Sequence, residues 1–295
     1  MPPPDEQAAT PTAAQILRQS IPDGKYELTE RAHDLLLRCV HAPPSLAART
    51  GEPAHPIFAH LATHCGMGWT FNDFLAHVGA VPADGVVFGG GTFTYHRPLV
   101  VGEAFTVRSA VREVRRKHGR RIGDFDAITI ALELTGADGG TAVATTETYI
   151  VPRRTGSPPA PPAQAAQAPP APAKQHPESH GYQVGPIRRE DIAGVMEVMQ
   201  DTNPIHLDAE LAVASGYRGP VNQGPANLAY VFNAMATDRG QVDDLRFAAF
   251  TFHDTVTEGD RLEVQLTADD ESAEGRLYIT GTGLAVTCRA EFGPA

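Results

Sequence analysis

A segment rich in proline and alanine divides this chain of 295 residues into two halves. The segment spans 152–177 and contains the run PPAPPAQAAQAPPAPA. Such a composition favours extended, semi-rigid backbone and cannot build a hydrophobic core. The chain is long enough for two domains of about 100–150 residues each. We therefore predict a linker at 152–177 that joins an N-terminal domain at 15–151 to a C-terminal domain at 178–295.

The two halves repeat the same order of elements, in which helices precede a run of strands. In the first half, helical patterns at 28–40, where Thr29 is a candidate cap, and at 57–80 come before alternating β-branched stretches. The pattern at 57–80 is apolar almost all round, which is typical of a helix buried against a sheet. In the second half, helices predicted to begin at Arg189 and at Gly224 precede a further run of strand patterns.

A short internal alignment supports a repeat of one α+β unit. FTYHRPLVVGE at 93–103 aligns without a gap with FTFHDTVTEGD at 250–260, and the two stretches occupy the same place in their halves. His96 and His253 coincide in this alignment, which favours a structural role at the start of a strand over catalysis. The Gly89–Gly91 run lacks the spacing of a nucleotide-binding loop, and we expect it to let a strand approach the buried helix.

The composition excludes several classes of function. A net charge of −11 disfavours nucleic acid as a partner, because phosphates are met by a basic face. No apolar run approaches the roughly 20 residues needed to cross a bilayer, and no secretory signal is visible. The three cysteines show neither disulfide nor metal-ligand spacing. We expect a cytoplasmic protein whose first 14 residues, rich in proline and alanine, are disordered.

The stretch with the clearest chemical content is DTNPIHLD, at 201–208. It separates Asp201 from His206 by a restricted Asn203-Pro204 turn that can bring the carboxylate and the imidazole to one point. Such a pair can hold a water molecule and remove its proton, and one positioned acid/base group contributes about 10²–10⁴-fold to a rate. Gly224 follows at the start of an apolar helix, where an unpaired backbone N–H suits a developing negative charge.

This motif resembles that of the MaoC-like (R)-specific enoyl thioester hydratases, which are hotdog-fold proteins. The resemblance extends over 182–295, and the first half looks like the degenerate partner hotdog of two-repeat members. It implies a double hotdog in which two antiparallel sheets, each wrapped around a helix, join side by side. It also implies Asp201 and His206 as the catalytic pair, the Gly224 N–H as the oxyanion donor and Asn203 as a supporting residue.

The resemblance further implies hydration of enoyl thioesters, or dehydration of 3-hydroxyacyl thioesters, on coenzyme A or an acyl carrier protein. No cofactor is required, and either a monomeric double hotdog or a homodimer is compatible with it. The N-terminal unit is expected to shape the acyl pocket. The sequence departs from the family pattern at Gln200, where members usually carry glycine, and at Gln223, where they usually carry histidine. Phe232-Asn233 occupies the region of a usual small polar residue in the long helix.

Two other functions remain open alongside the hydratase. One is an inactive thioester-binding or assembly subunit, which the departures at Gln200 and Gln223 favour, and the other is a thioesterase. His60 and His64 have i, i+4 spacing, but without a nearby acidic ligand we expect core or pocket-lining histidines and no metal. The basic run at 112–121 is either a solvated hairpin tip, with a turn at 115–121, or a contact for phosphates of the substrate carrier.

Overall fold

The computed structural model describes residues 10–81, 84–119, 123–153 and 181–293. The predicted linker lies outside these ranges except for residues 152 and 153. Most of the stretch expected to be disordered also lies outside them, but helix α1 (Ala13–Leu17) begins inside it. Thr12 and Gln15 form a reciprocal capping box, and Ile16 is buried. The expectation of disorder is therefore wrong for residues 13 and 14.

The described strands form a single ten-stranded antiparallel sheet, with the order β1-β3-β4-β5-β2-β7-β10-β9-β8-β6. Each half of the chain supplies one continuous half of that sheet. The strands of the first half are β1 (Gly24–Glu27), β2 (Val87–Tyr95), β3 (Ala104–Gly119), β4 (Gly123–Thr135) and β5 (Thr141–Pro152). Those of the second half are β6 (Gly181–Val184), β7 (Leu245–Phe252), β8 (Leu262–Ala268), β9 (Ser272–Ile279) and β10 (Gly283–Phe292).

The two halves of the sheet join between β2 and β7, which are the strands that carry the aligned repeat. Phe93 aligns with Phe250, so Thr92 aligns with Ala249, and Thr92 pairs directly with Ala249 across the junction. A local pseudo-twofold axis therefore passes through this pair, and the predicted side-by-side arrangement of two repeats is confirmed.

The glycine run at the junction serves contacts between strands. A Cβ on Gly90 would lie 2.4 Å from the Phe250 carbonyl oxygen, and one on Gly91 would lie 2.1 Å from the Thr146 carbonyl oxygen. Side chains at these positions would force β2 away from its neighbours β7 and β5. The expectation that the run lets the strand approach the buried helix is therefore wrong.

In the described ranges, six further α-helices pack against this sheet or connect its strands. They are α2 (Glu30–Cys39), α3 (Phe58–Gly66), α4 (Phe71–His77), α5 (Arg189–Met199), α6 (Ala209–Ala214) and α7 (Gly224–Arg239). Thr29 caps α2 as predicted, since its side chain accepts a hydrogen bond from the Ala32 N–H. Within the described ranges, no helix is both long and apolar enough to cross a membrane.

The single helix predicted at 57–80 is two helices, α3 and α4. A Cβ on Gly66 would lie 2.6 Å from Val107 Cγ2, and one on Gly68 would lie 2.0 Å from the Pro22 carbonyl oxygen. The backbone therefore passes close to its neighbours where α3 ends. Thr70 then opens α4 through a capping box with Asp73.

The basic run at 112–121 lies mainly in β3, which continues to Gly119, so the turn predicted at 115–121 is wrong over its first residues. Strand β3 is long because β4 pairs with it up to Gly123. Within this hairpin Arg115 pairs with Glu113, Arg116 with Asp126 and His118 with Asp124, at 2.6, 2.9 and 2.8 Å. These partners reduce the basic charge on which a phosphate contact would depend.

Candidate functional site

The candidate site begins where helix α5 ends. Gln200, the C-cap of α5, adopts the left-handed conformation with φ 53° and ψ 32°. Its neighbour Asp201 donates its backbone N–H to the Met196 carbonyl at 3.0 Å. A left-handed C-cap is usually glycine because a Cβ is strained there. The glycine expected here from the resemblance would therefore have a backbone cause, and Gln200 is compatible with the turn at some cost in stability.

Replacing Gln200 with glycine is expected to raise the free energy of unfolding by about 0.5–1 kcal/mol, since it relieves this left-handed strain. Gln200→Ala keeps the strain and is the matched control, with an expected change near zero. Urea denaturation of both variants measures the difference. A destabilised Gln200→Gly variant would contradict this account of the cap.

The turn after Asp201 is held by hydrogen bonds within the motif. The Asn203 N–H donates to Asp201 Oδ1 at 2.8 Å, and Asn203 Oδ1 accepts the Ile205 N–H at 3.3 Å. Asn203 thereby caps a 3₁₀ turn, Pro204–His206, which proline opens with its fixed φ. Asn203 thus shapes the turn that presents His206.

His206 is buried and makes contacts through both ring nitrogens. Its Nδ1–H donates to the Val221 carbonyl at 2.6 Å, because a carbonyl can only accept. Its Nε2 lies 3.0 Å from Asp201 Oδ2. The backbone thus fixes which nitrogen faces the carboxylate, and the Asp201–His206 contact holds a proton between the two groups. The motif brings these side chains together as the sequence predicted.

The environment keeps Asp201 ionised at neutral pH. Burial by itself raises the pKa of its carboxyl. The hydrogen bond from His206, the charge of His206 and the hydrogen bond from the Asn203 N–H outweigh this effect. The net result is a pKa below the usual value for aspartate. Asp201 is therefore a carboxylate that can accept a proton.

Helix α7 begins at Gly224, which is also where its unpaired N–H groups lie. Within the described part of the chain, the Gly224 N–H makes no hydrogen bond. A Cβ at this position would lie 3.3 Å from Phe252 Cζ, so the glycine keeps the space beside the ring open. Gln223, which precedes it, is buried and donates its Nε2–H to the Ile192 carbonyl at 3.3 Å. Gln223 thereby ties the start of α7 to α5.

Asp201, His206 and Gly224 line one cavity of about 150 Å³. The second half of the chain also contributes two adjoining buried amides. Asn222 Nδ2 donates to Asn227 Oδ1 at 2.7 Å, and Asn222 Oδ1 has no partner among the described residues. Sequence reasoning did not select these amides, although both flank Gly224 within a few residues.

The first half of the chain supplies a second part of the cavity lining, including His60, His64, Phe88 and Tyr149. His60 Nδ1 lies 2.9 Å from Glu147 Oε1, and both side chains are almost completely buried. The expectation that His60 and His64 are core or pocket-lining residues is confirmed. Glu147 and Tyr149 were missed because they lie on β5, and only long-range packing brings that strand to the site.

Three other features of the sequence lie outside the cavity lining. Asn233 is buried between the repeats, where its amide contacts His55 at 3.1 Å and the Val40 carbonyl at 2.8 Å. It is therefore a structural residue of the junction between the repeats.

His96 and His253 follow the ends of β2 and β7 instead of starting strands. Their backbone N–H groups make matching hydrogen bonds, to the carbonyls of Ala142 and Ala285. No group of histidine, cysteine and acidic side chains in the described ranges is arranged to hold a metal.

Comparison with known families places a dehydratase region in each half of the chain. Residues 170–285 match the model of the MaoC like domain. Residues 38–146 match the model of the FAS1-like, dehydratase domain region. The resemblance predicted from the motif is thus confirmed: the chain carries a MaoC-like dehydratase domain preceded by a FAS1-like dehydratase region. No curated protein sequence matches the chain significantly.

Solved structures of similar shape agree on the fold. A MaoC-like dehydratase from Phytophthora capsici superposes with a TM-score of 0.72 at 13% identity, covering 97% of this chain and 100% of that one. A conserved hypothetical protein from Mycobacterium tuberculosis with a double hotdog fold gives 0.63 at 11% identity, covering 93% and 96%. Peroxisomal multifunctional enzyme type 2 from Drosophila melanogaster gives 0.67 at 16% identity, covering 92% of this chain and 48% of that one. The protein is therefore a double hotdog.

The cavity histidine His64 predicts a pH dependence of stability. Burial and the neighbouring His60 lower its pKa to about 4, against the opposing effect of Asp201 and Glu147. Unfolded His64 takes up a proton below about pH 6.5, whereas the folded protein resists this until about pH 4. Its contribution to stability is therefore complete above pH 6.5 and decreases as the pH falls.

Urea denaturation at pH 7 and pH 5 measures this dependence. The free energy of unfolding of the wild type should decrease from pH 7 to pH 5. In His64→Phe this decrease should be smaller by about 2 kcal/mol. His96→Phe changes an exposed histidine and should keep the wild-type decrease. An unchanged decrease in His64→Phe would contradict a neutral imidazole with a lowered pKa at this position.

Proposed function

We propose that this protein hydrates enoyl thioesters with (R) specificity, or dehydrates the corresponding 3-hydroxyacyl thioesters. The observation that carries the proposal is the convergence of the Asp201–His206 pair and the Gly224 N–H on one cavity. The two dehydratase-type family matches support the same class of reaction. The substrate would be an acyl thioester of coenzyme A or of an acyl carrier protein.

In the proposed reaction, water binds against Asp201 and His206 and attacks C3 of the enoyl group. The Asp201 carboxylate accepts a proton from that water, while His206 Nε2 positions it and shares the charge. The electrons of the C2=C3 bond move toward the thioester carbonyl, and a proton held by the pair then returns to C2. One molecule of water is added across the double bond, and the reverse sequence removes it.

The intermediate of this reaction carries negative charge on the thioester oxygen. The Gly224 N–H, at the start of the 16-residue helix α7, is the proposed donor to that oxygen. A fixed donor at a helix N-terminus stabilises charge there without reorganisation, and one such donor is worth about 10²–10³-fold. The absence of a side chain at Gly224 lets the thioester reach this N–H.

We further propose that the two halves of the chain have different roles in the reaction. Residues 178–295 would supply the acid/base pair and the oxyanion donor, and residues 15–151 would shape the part of the cavity that receives the acyl group. The lining residues from α3, β2 and β5 support this division.

A single assay distinguishes this function from its alternatives. The protein is incubated with crotonyl-CoA and longer enoyl-CoAs, and both enoyl absorbance and free thiol are followed. The proposal predicts loss of absorbance without release of thiol. Thiol release would indicate a thioesterase, and no change in either signal would indicate a binding subunit, so both results contradict a hydratase.

A further inference from the structure

The part of the cavity lining that the first half of the chain supplies contains polar groups among its apolar residues. Glu147, on β5, is buried and accepts three hydrogen bonds: from His60 Nδ1 at 2.9 Å, Thr63 Oγ1 at 2.9 Å and Tyr149 OH at 3.0 Å. Burial raises the pKa of Glu147, but its contact with His60 leads the effects that bring this pKa below its usual value. The three neighbours therefore donate to an ionised carboxylate.

This arrangement fixes the orientation of His60 in the cavity wall. Its Nδ1–H is used by Glu147, so Nε2 is the ring nitrogen left to meet a ligand. The ring stacks on Phe88 at 4.7 Å, and the rings of His60 and His64 stack at 5.6 Å. A network of this kind is costly to bury, because each member loses contact with water.

His64 adds a second polar group that lacks a protein partner. Its Nδ1 is buried and makes no hydrogen bond within the described residues, although the side chain lines the cavity. The next residue, Cys65, donates its thiol to the Met199 carbonyl at 3.2 Å, which places this end of α3 against the end of α5, close to Asp201. A neutral imidazole here offers one donor and one acceptor.

The position of these histidines relative to Gly224 follows from the aromatic rings between them. Phe252 lies beside Gly224, Phe88 packs on Phe252 with ring centroids 5.3 Å apart, and His60 stacks on the ring of Phe88. Two aromatic rings therefore link His60 to Gly224 in a chain of contacts. An acyl group that runs along these rings from Gly224 would bring its chain to His60.

We propose that the His60–Glu147 pair and His64 form a subsite for a hydroxyl group on the acyl chain of the substrate. A hydroxyl can donate to His60 Nε2 and accept from a neutral His64, so one group satisfies both rings. A carboxylate suits the subsite less well, because Glu147 and Asp201 already place two negative charges near these histidines. An unsubstituted alkyl chain would leave the polar groups without partners, which costs binding free energy.

This inference rests on the proposed function for the identity of the thioester ligand, but its test does not require turnover. Saturated thioesters have no double bond to hydrate, so calorimetric titration reports binding alone. The probes are three matched pairs: butyryl-CoA with 4-hydroxybutyryl-CoA, hexanoyl-CoA with 6-hydroxyhexanoyl-CoA, and octanoyl-CoA with 8-hydroxyoctanoyl-CoA. Succinyl-CoA tests the carboxylate.

The wild type is expected to bind the hydroxylated member of at least one pair at least about tenfold more tightly. His64→Phe should reduce that ratio to below about twofold, and Glu147→Gln should also lower it by releasing His60 from its fixed orientation. His96→Phe, on the exposed turn after β2, should leave the ratio unchanged. Thermal unfolding checks that each variant is folded. If a variant is unfolded, the ratio measured with the wild type alone tests the subsite.

Equal binding within every pair, no measurable binding of any member, or tighter binding of succinyl-CoA would overturn the subsite. Hydration of crotonyl-CoA without a hydroxyl preference would remove this inference and leave the proposed function intact. A hydroxyl preference without hydration of any enoyl-CoA would remove the proposed function and leave the subsite intact.

Discussion

Replacing Asp201 with asparagine is expected to lower kcat for hydration of an enoyl thioester by about 10²–10⁴-fold, because the amide cannot accept the proton of the attacking water. The loop should keep its shape. The side-chain oxygen of asparagine can still accept the Asn203 N–H, and its NH₂ group can donate to His206 Nε2. Circular dichroism and the melting temperature should therefore stay close to those of the wild type.

Asp208→Asn provides a control in the same loop. Asp208 is exposed and caps α6 by accepting the Leu211 N–H at 2.9 Å, and asparagine caps a helix about as well. Steady-state kinetics of both variants with the same enoyl-CoA should show a large loss only for Asp201→Asn. A normal hydration rate in that variant would remove Asp201 from the proposed mechanism.

Replacing Gly224 with valine is expected to lower kcat by about 10²-fold while KM changes less. A Cβ added at this position would lie 3.3 Å from Phe252 Cζ, so a branched side chain must displace either the ring or the thioester. A displacement of about 1 Å from the oxyanion donor is enough for a loss of this size. The effect falls mainly on kcat because the N–H acts on charge that develops during the reaction.

The matched control for this change is Gly219→Val. A Cβ on Gly219 would meet nothing within 4 Å, so valine there adds bulk without a contact. Its kcat should stay within about twofold of the wild-type value, which is the scale of a surface substitution. If Gly224→Val were as active as this control, the N–H at the start of α7 would not be the oxyanion donor.

The Asp201–His206 side of the candidate site could be predicted from the sequence because its determinants are local. Asp201 and His206 are joined by a turn that Asn203 and Pro204 build from their own backbone and side chain. Gly224 could be predicted for the same reason, since it opens an apolar helix whose start is visible in the local sequence. The side-by-side arrangement of the two halves was predicted as well, but the strands that join them, β2 and β7, are given only by the structure.

The part of the cavity lining that comes from the first half of the chain depends on contacts that no local pattern contains. Glu147 reaches His60 only because β5 packs against α3, 87 positions away along the chain. The break between α3 and α4 has a similar origin, because Gly66 is constrained by Val107 on β3. Periodicity predicted one helix there because it does not register close approach by a distant strand.

The most direct test of the central claim is the hydration rate of four proteins: the wild type, Asp201→Asn, His206→Gln and the double variant. All four are compared with crotonyl-CoA under the same conditions. Residues that act on one water as a unit show strongly non-additive losses. We predict that each single variant loses about 10²–10⁴-fold and that the double variant is within about tenfold of the slower single variant. Losses that multiply in the double variant, or single variants that hydrate at the wild-type rate, would contradict an Asp201–His206 pair that activates water.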